Sequence, residues 1–384
     1  MRAGWLVANS IAAAPKLPQR ATVTKACSNR RSITSGYGTP SNRYWTAWKI
    51  RTSIVKVSIL RSAVVQFEAV PDRPDRNLEI ITRLARQAVA DGAQLVVFPE
   101  MCLLGYWHLR RHTADRLHAL AEPVSGPAIS QIRSLAMELE AGLGVGWLET
   151  DAGTLFNSYA VCLPDGTVHV HRKLHAFEHP AISSGARFTV FDTPWQVRVG
   201  VLICWDNNLV ENVRATALLG ATVLLAPHQT GGTNSVSPHG MKPIPREVWD
   251  NRLTDPAAVE RAFNGPNGRE WLLRWLPARA HDNGLFVLFS NGVGRDDDEL
   301  RTGNAMVIDP YGRIIAETPA PAEAVVLAEL DLDLVPLATG RRWLRGRRPE
   351  LYGILTEVRG DELDPRAARF STEPTDVQPI NGGR

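Results

Sequence analysis

The stretch Val199-Gly200-Val201-Leu202-Ile203-Cys204-Trp205-Asp206-Asn207-Asn208 stays apolar up to Ile203, then stops on a thiol followed by polar groups. A short β-branched and aliphatic run reads as a buried strand, and Asp-Asn-Asn reads as its end. Cys204 therefore stands at a strand-to-helix corner, aimed at solvent or a pocket. Such a corner presents a nucleophile with a backbone N–H beside it. Taken alone the signal is weak, because an unpaired cysteine is most often a small buried hydrophobe.

Working outward, the same alternation recurs. Val57 to Phe67 reads as a strand. A helix capped by Asn77 follows, with the stripe Ile81, Leu84, Ala85 and Ala88, and it closes at Gly92 before a strand at 95–98. The opening is thus β-α-β. A helix over 128–140 leads to a strand at 142–148. The runs 156–163 and 167–171 flank Pro164-Asp165-Gly166 as a hairpin. Strand 197–203, a helix near 209–219 capped by Asn207 or Asn208, and strand 222–226 come next. Helix 269–283, strand 285–290, hairpin 304–315 and strand 325–330 complete the chain. This pattern predicts an α/β fold with a mixed sheet, helices on one face and a second sheet on the other.

Two more strand-like runs end on a charge. Gln94 to Pro99 stops at Glu100, and His169-Val170-His171-Arg172 leads into Lys173. Alone, each reads as a solvated strand end. Together with Cys204 they supply a base, a cation and a thiol, a complete set for acyl chemistry at carbon–nitrogen bonds.

The flanking residues carry a resemblance. Phe98-Pro99-Glu100, His171-Arg172-Lys173-Leu174-His175 and Leu202-Ile203-Cys204-Trp205-Asp206, separated by gaps of 73 and 31 positions, resemble the nitrilase superfamily of carbon–nitrogen hydrolases. Ala278-Arg279-Ala280-His281-Asp282-Asn283, the run Asn304 to Gly312, and Arg347 to Tyr352 are similar to its later motifs. The resemblance covers roughly residues 57 to 352. It implies a four-layer α-β-β-α sandwich with mixed β-sheets and assembly as a homodimer or higher homo-oligomer.

It also implies roles. Glu100 is the general base, Cys204 the nucleophile, and Lys173 with the backbone N–H of Trp205 stabilises the charge that develops on the substrate. A second glutamate orients the lysine, and Glu178 is the candidate. Loss of ammonia or an amine leaves a thioester that water hydrolyses, with no cofactor and no metal. His228 and Gln229, beyond the apolar run 222–227, stand where ligands gather in such sheets.

Residues 1–56 carry ten Lys or Arg and no acid, which leaves 33 basic against 40 acidic residues in the remainder. The main domain, 57–352, therefore has no basic surface for nucleic acid. The basic extension resembles a transit peptide, a disordered arm or a mis-called start, and 353–384 reads as a flexible tail. No segment reaches the ~20 apolar residues of a membrane span. Four cysteines in 384 residues argue against a disulfide scaffold, and a cytoplasmic location is expected, with organelle import if the extension is real. Neither Cys-x-x-Cys nor His-x-x-x-His spacing is read as marking zinc. Residues 231–268, with five prolines, read either as a long binding loop that closes over the Cys204 pocket or as a dimer-contact or mobile loop.

The expected activity is hydrolysis of a small non-peptide amide or carbamoyl compound. A nitrilase acting on a nitrile is the alternative, and Asp206 with the long insertion speaks against it. A catalytically silent binding protein on the same fold is disfavoured by the three intact positions. A nucleotide-binding oxidoreductase fails for want of a glycine-rich fingerprint.

Overall fold

The computed structural model describes residues 58–232 and 237–371. The basic stretch 1–56 and the last part of the tail lie outside the described residues.

The strands divide into two halves that face one another. One half runs Val168–Arg172, Thr154–Cys162, Gly142–Asp151, Leu95–Val97 and Ile59–Phe67; the other runs Phe286–Asp296, Val223–His228, Arg198–Val201 and Thr189–Asp192. Along this order the central pairs are parallel and the outer ones antiparallel, so the sheet is mixed. Among the described residues, strands of the two halves pair with each other only at the tip of the first strand, where Gln66 and Phe67 register with Asn291 and Gly292. The two expected sheets are therefore one sheet folded over at that seam.

Period-2 side-chain alternation builds the layers. Leu60 and Val64, Leu95 and Val97, and Tyr159 and Val161 point inward against Val199, Val201, Val223, Leu225, Phe286 and Leu288. The outward faces meet helices. Ala63, Val65, Val96 and Val145 pack under the helices Pro74–Ala90 and Pro127–Glu138. Leu224, Ala226, Val287 and Phe289 pack under Val210–Leu218 and Leu276–Asn283. Each of these fully buried aliphatic side chains contributes roughly 1.5–3 kcal/mol of transfer free energy. The result is the four-layer α-β-β-α sandwich.

Local details differ from the sequence reading. The first helix begins at Pro74, whose fixed φ suits a first turn. Asn77 is therefore inside it, and its buried amide bonds Val70 and Leu103 instead of capping. The helix after Cys204 is preceded by Leu209 rather than an asparagine. The expected helix 269–283 is two pieces, Arg269–Leu273 and Leu276–Asn283, with Pro277 in the first turn of the second.

The insertion is not without regular structure. It holds Arg246–Asp250 and Pro256–Asn264, and Trp249 stacks on Phe263 at 5.6 Å between centroids. These residues pack against Val293 and Leu300 of the hairpin Phe286–Asp296/Glu299–Thr302. The expected tail is described as far as Ser371, and its helix Pro365–Phe370 sets Phe370 against Trp107 and Phe177.

Candidate active site

Glu100 lies just beyond the strand Leu95–Val97, in a turn where Met101 takes φ +50°. Gly146 of the neighbouring strand makes that turn possible: a Cβ there would sit 2.2 Å from the Met101 nitrogen. Gln229 secures the same turn, donating its side-chain amide to the Glu100 carbonyl at 2.8 Å.

Lys173 follows the strand Val168–Arg172 and is wholly buried, as is Glu100. Its Nζ donates to Glu100 Oε1 at 2.8 Å and to Glu178 Oε1, and lies 4.4 Å from the Phe177 ring centroid. Asn157, from the strand Thr154–Cys162, bridges the two carboxylates with one amide nitrogen, 2.7 Å from Glu100 and 2.9 Å from Glu178. Tyr106 adds a hydroxyl to Glu178 at 3.2 Å, and the Phe177 amide a bond at 2.9 Å.

The two glutamates thus receive unequal support. Burial works to raise Glu178, but the charge and hydrogen bond of Lys173, backed by the other donors, hold it below the ordinary glutamate value. Glu100 sits well above that value: burial is the main cause, the charge of Cys204 adds to it, and Lys173 opposes. Its Oε2 has no hydrogen-bond partner among the described residues. Burial likewise works against the ammonium of Lys173, and the charges of Glu100, Glu178 and Cys204 outweigh it. Carboxylates whose environments push them apart divide into one that exchanges a proton and one that stays ionised.

Cys204 closes the strand Arg198–Val201 through Leu202 and Ile203, and opens the short 3-10 turn Cys204–Asn208. It is half-buried and has φ +49°, a left-handed conformation that a non-glycine residue pays for. A negative charge on its sulfur would act on both Glu100 and Lys173, so all three strand-tip residues share one electrostatic neighbourhood. Trp205 lies in the first turn, where backbone amides lack an intrahelical acceptor, and its ring meets Phe177 edge-on at 5.2 Å.

Asp206 locks this turn to the lysine loop. Its buried carboxylate accepts the amides of Leu174 (3.1 Å), His175 (2.9 Å) and Ile203 (3.2 Å), with His175 Nδ1 at 3.0 Å. His228 is a buried strut, bonded to Asn207 at 3.1 Å and Thr230 at 3.0 Å. Burial pulls its imidazole down to about 3, so it is neutral. Asn207, expected as a cap, turns back to the Leu202 carbonyl at 2.7 Å.

Cys102 is two residues from Glu100 but buried, and burial pushes its thiol up to about 12. Cys162 is likewise pushed up to about 12 by burial. Asn157 and Tyr106 were not singled out from the sequence, and Asp206 stood there only as a mark against nitrile chemistry. The signal for Asn157 was an amide inside an otherwise apolar strand.

The sequence profile of the carbon-nitrogen hydrolase family matches residues 61–338. The chain belongs to this family, the nitrilase superfamily. It is an enzyme, a carbon–nitrogen hydrolase. Among similar proteins, an (R)-stereoselective amidase of a Pseudomonas species is 32% identical, covering 70% of this chain and 84% of that protein. N-carbamoylputrescine amidase of Arabidopsis thaliana is 27% identical, covering 76% and 94%. An aliphatic nitrilase of Sinorhizobium fredii is 27% identical, covering 77% and 95%. An amidase from Nesterenkonia shares the fold, with a TM-score of 0.58 at 22% identity, over 78% of this chain and 98% of that one. No helix among the described residues is long and apolar enough to cross a membrane.

Proposed function

We propose that this hydrolase cleaves a small non-peptide amide or carbamoyl compound through a thioester on Cys204. The observation that carries the reading is the unequal bonding of two glutamates around one buried lysine: Glu178 accepts from Lys173, Asn157, Tyr106 and the Phe177 amide, while Glu100 Oε2 has no partner among the described residues. Glu100 Oε2 takes the Cys204 proton, and the thiolate attacks the carbonyl carbon. The negative charge that moves onto oxygen is met by the Trp205 amide and Lys173, and losing one such donor costs about 2.7–4 kcal/mol of barrier. Glu100 then hands its proton to the departing nitrogen, and ammonia or an amine leaves. In the second half Glu100 takes a proton from water, which attacks the thioester and releases the acid. Glu178 stays ionised throughout and keeps Lys173 charged. Gln229 and His228 fix the walls of the site, and the amidases among the relatives support the substrate class.

An ammonia-release screen across amides, carbamoyl compounds and nitriles tests this, with Cys204→Ala as the blank. Turnover of amides or carbamoyl compounds that Cys204→Ala lowers by roughly 10⁴-fold or more agrees with the reading. Turnover of nitriles alone would replace the substrate class. Full activity in Cys204→Ala would sink the thioester.

A further inference from the structure

Outside the hydrolytic site, three metal-ligating side chains converge. His108 and His112 stand four positions apart across the turn Trp107–Arg111, a His-x-x-x-His spacing that the sequence reading passed over. Both rings aim Nε2 at one oxygen: His108 lies 2.8 Å and His112 3.0 Å from Asp72 Oδ1. The rings meet edge to face, with centroids 5.3 Å apart, so the two nitrogens approach from different planes. One ligand atom from each residue falls within 4.8 Å of the other two.

We propose that Asp72, His108 and His112 form a binding site for a divalent ion of the zinc class. Two imidazoles and a carboxylate are a borderline donor set that such ions prefer over calcium or magnesium. Zinc holds nitrogen and oxygen ligands at about 2.0–2.2 Å, which sets tetrahedral ligand atoms roughly 3.3 Å apart. The Asp72–histidine separations need to open by only a few tenths of an ångström to admit the ion.

The surroundings fit. Asp72 Oδ2 is taken by Arg116 at 3.3 Å, which orients the carboxylate and leaves Oδ1 for the metal. Gly105 makes room for one ring: a Cβ there would lie 2.9 Å from His108 Cε1. The three side chains are 12%, 21% and 26% exposed, enough for an ion to enter and for water to fill a fourth position. The ion would fasten the turn at Asp72 to the segment that carries Tyr106, whose hydroxyl reaches Glu178. His179, next to Glu178, contacts the carbonyl of His112 at 3.1 Å, a second link between the two regions.

The test uses the full chain with Cys204→Ala, so that the nucleophile cannot chelate the probe. After dialysis against a chelator, zinc is titrated by calorimetry and cobalt by visible absorption. One equivalent of zinc, with cobalt d–d bands of a four- or five-coordinate ion, is expected. Adding His108→Gln and His112→Gln removes that equivalent at unchanged circular dichroism, and Asp72→Asn weakens it at least tenfold. No binding by the parent, or an equivalent that survives loss of both histidines, overturns the site. If the paired variant does not fold, the more exposed His112→Gln decides in the same way: retained full affinity overturns the proposal.

Discussion

Asp206 Oδ1 accepts both the backbone N–H and the ring nitrogen of His175, at 2.9 and 3.0 Å. Two residues beyond Cys204 and two beyond Lys173, this contact holds the thiol turn and the lysine loop in one frame. Burial works to raise Asp206, yet the hydrogen bond from His175 and the charges of His171, 3.6 Å away, and of Lys173 drive it far below its ordinary 3.8.

A depressed carboxylate contributes stability above its unfolded value and loses it as pH falls. Asp206→Asn should therefore unfold more easily at neutral pH, yet lose less further stability below about pH 4 than the parent does. Denaturant titrations from pH 3 to 7 measure both, and parallel curves for the two proteins would reject the assignment.

Glu178→Gln tests the division of labour between the glutamates. The negative charge of Glu178 is one of the influences that raise Glu100. Removing it should move the acid limb of the rate–pH profile to lower pH while kcat falls. An unmoved limb would separate that limb from Glu100.

His228 gives an independent pH signature. Its ordinary value is 6.5 and its folded value is about 3, because it is buried. Between these the unfolded chain takes up a proton that the folded protein refuses, so stability falls as pH drops through this window, by up to ~1.4 kcal/mol per unit. His228→Gln should flatten that slope in calorimetric melts.

Gly146→Ala places a methyl where 2.2 Å separates it from the Met101 nitrogen. Backbone must give way, at a cost near or above the ~1–3 kcal/mol of ordinary overpacking. Because the displaced turn carries Glu100, kcat should fall by roughly 10²-fold. Melting and initial-rate measurements check the two effects, and an unchanged rate would show that the turn tolerates the shift.

Much of this site is legible in the chain because strand ends are. Glu100, Lys173 and Cys204 each follow an apolar run, and strand ends in an α/β sheet converge on one rim. Glu178 came from family likeness, since nothing local separates it from a surface carboxylate. The roles of Asn157 and Asp206 escaped because their work is done across long sequence distances. In Leu155-Phe156-Asn157-Ser158 an amide looks like the wet side of a strand, and Asp206 looks like a helix start. Asn77 misled for the same reason: Pro74 had already set the helix, which freed the amide to bond Val70 and Leu103.

The seam at Gln66 has a consequence for how the molecule comes apart. Its side chain donates to the carbonyls of Ala320 and Ala322 and accepts from the Ala305 amide, so one buried glutamine stitches three distant segments. Opening either leaf of the sandwich must tear this stitch. Separating the leaf that bears Glu100 from the leaf that bears Cys204 breaks these bonds together with the strand pairing at the seam.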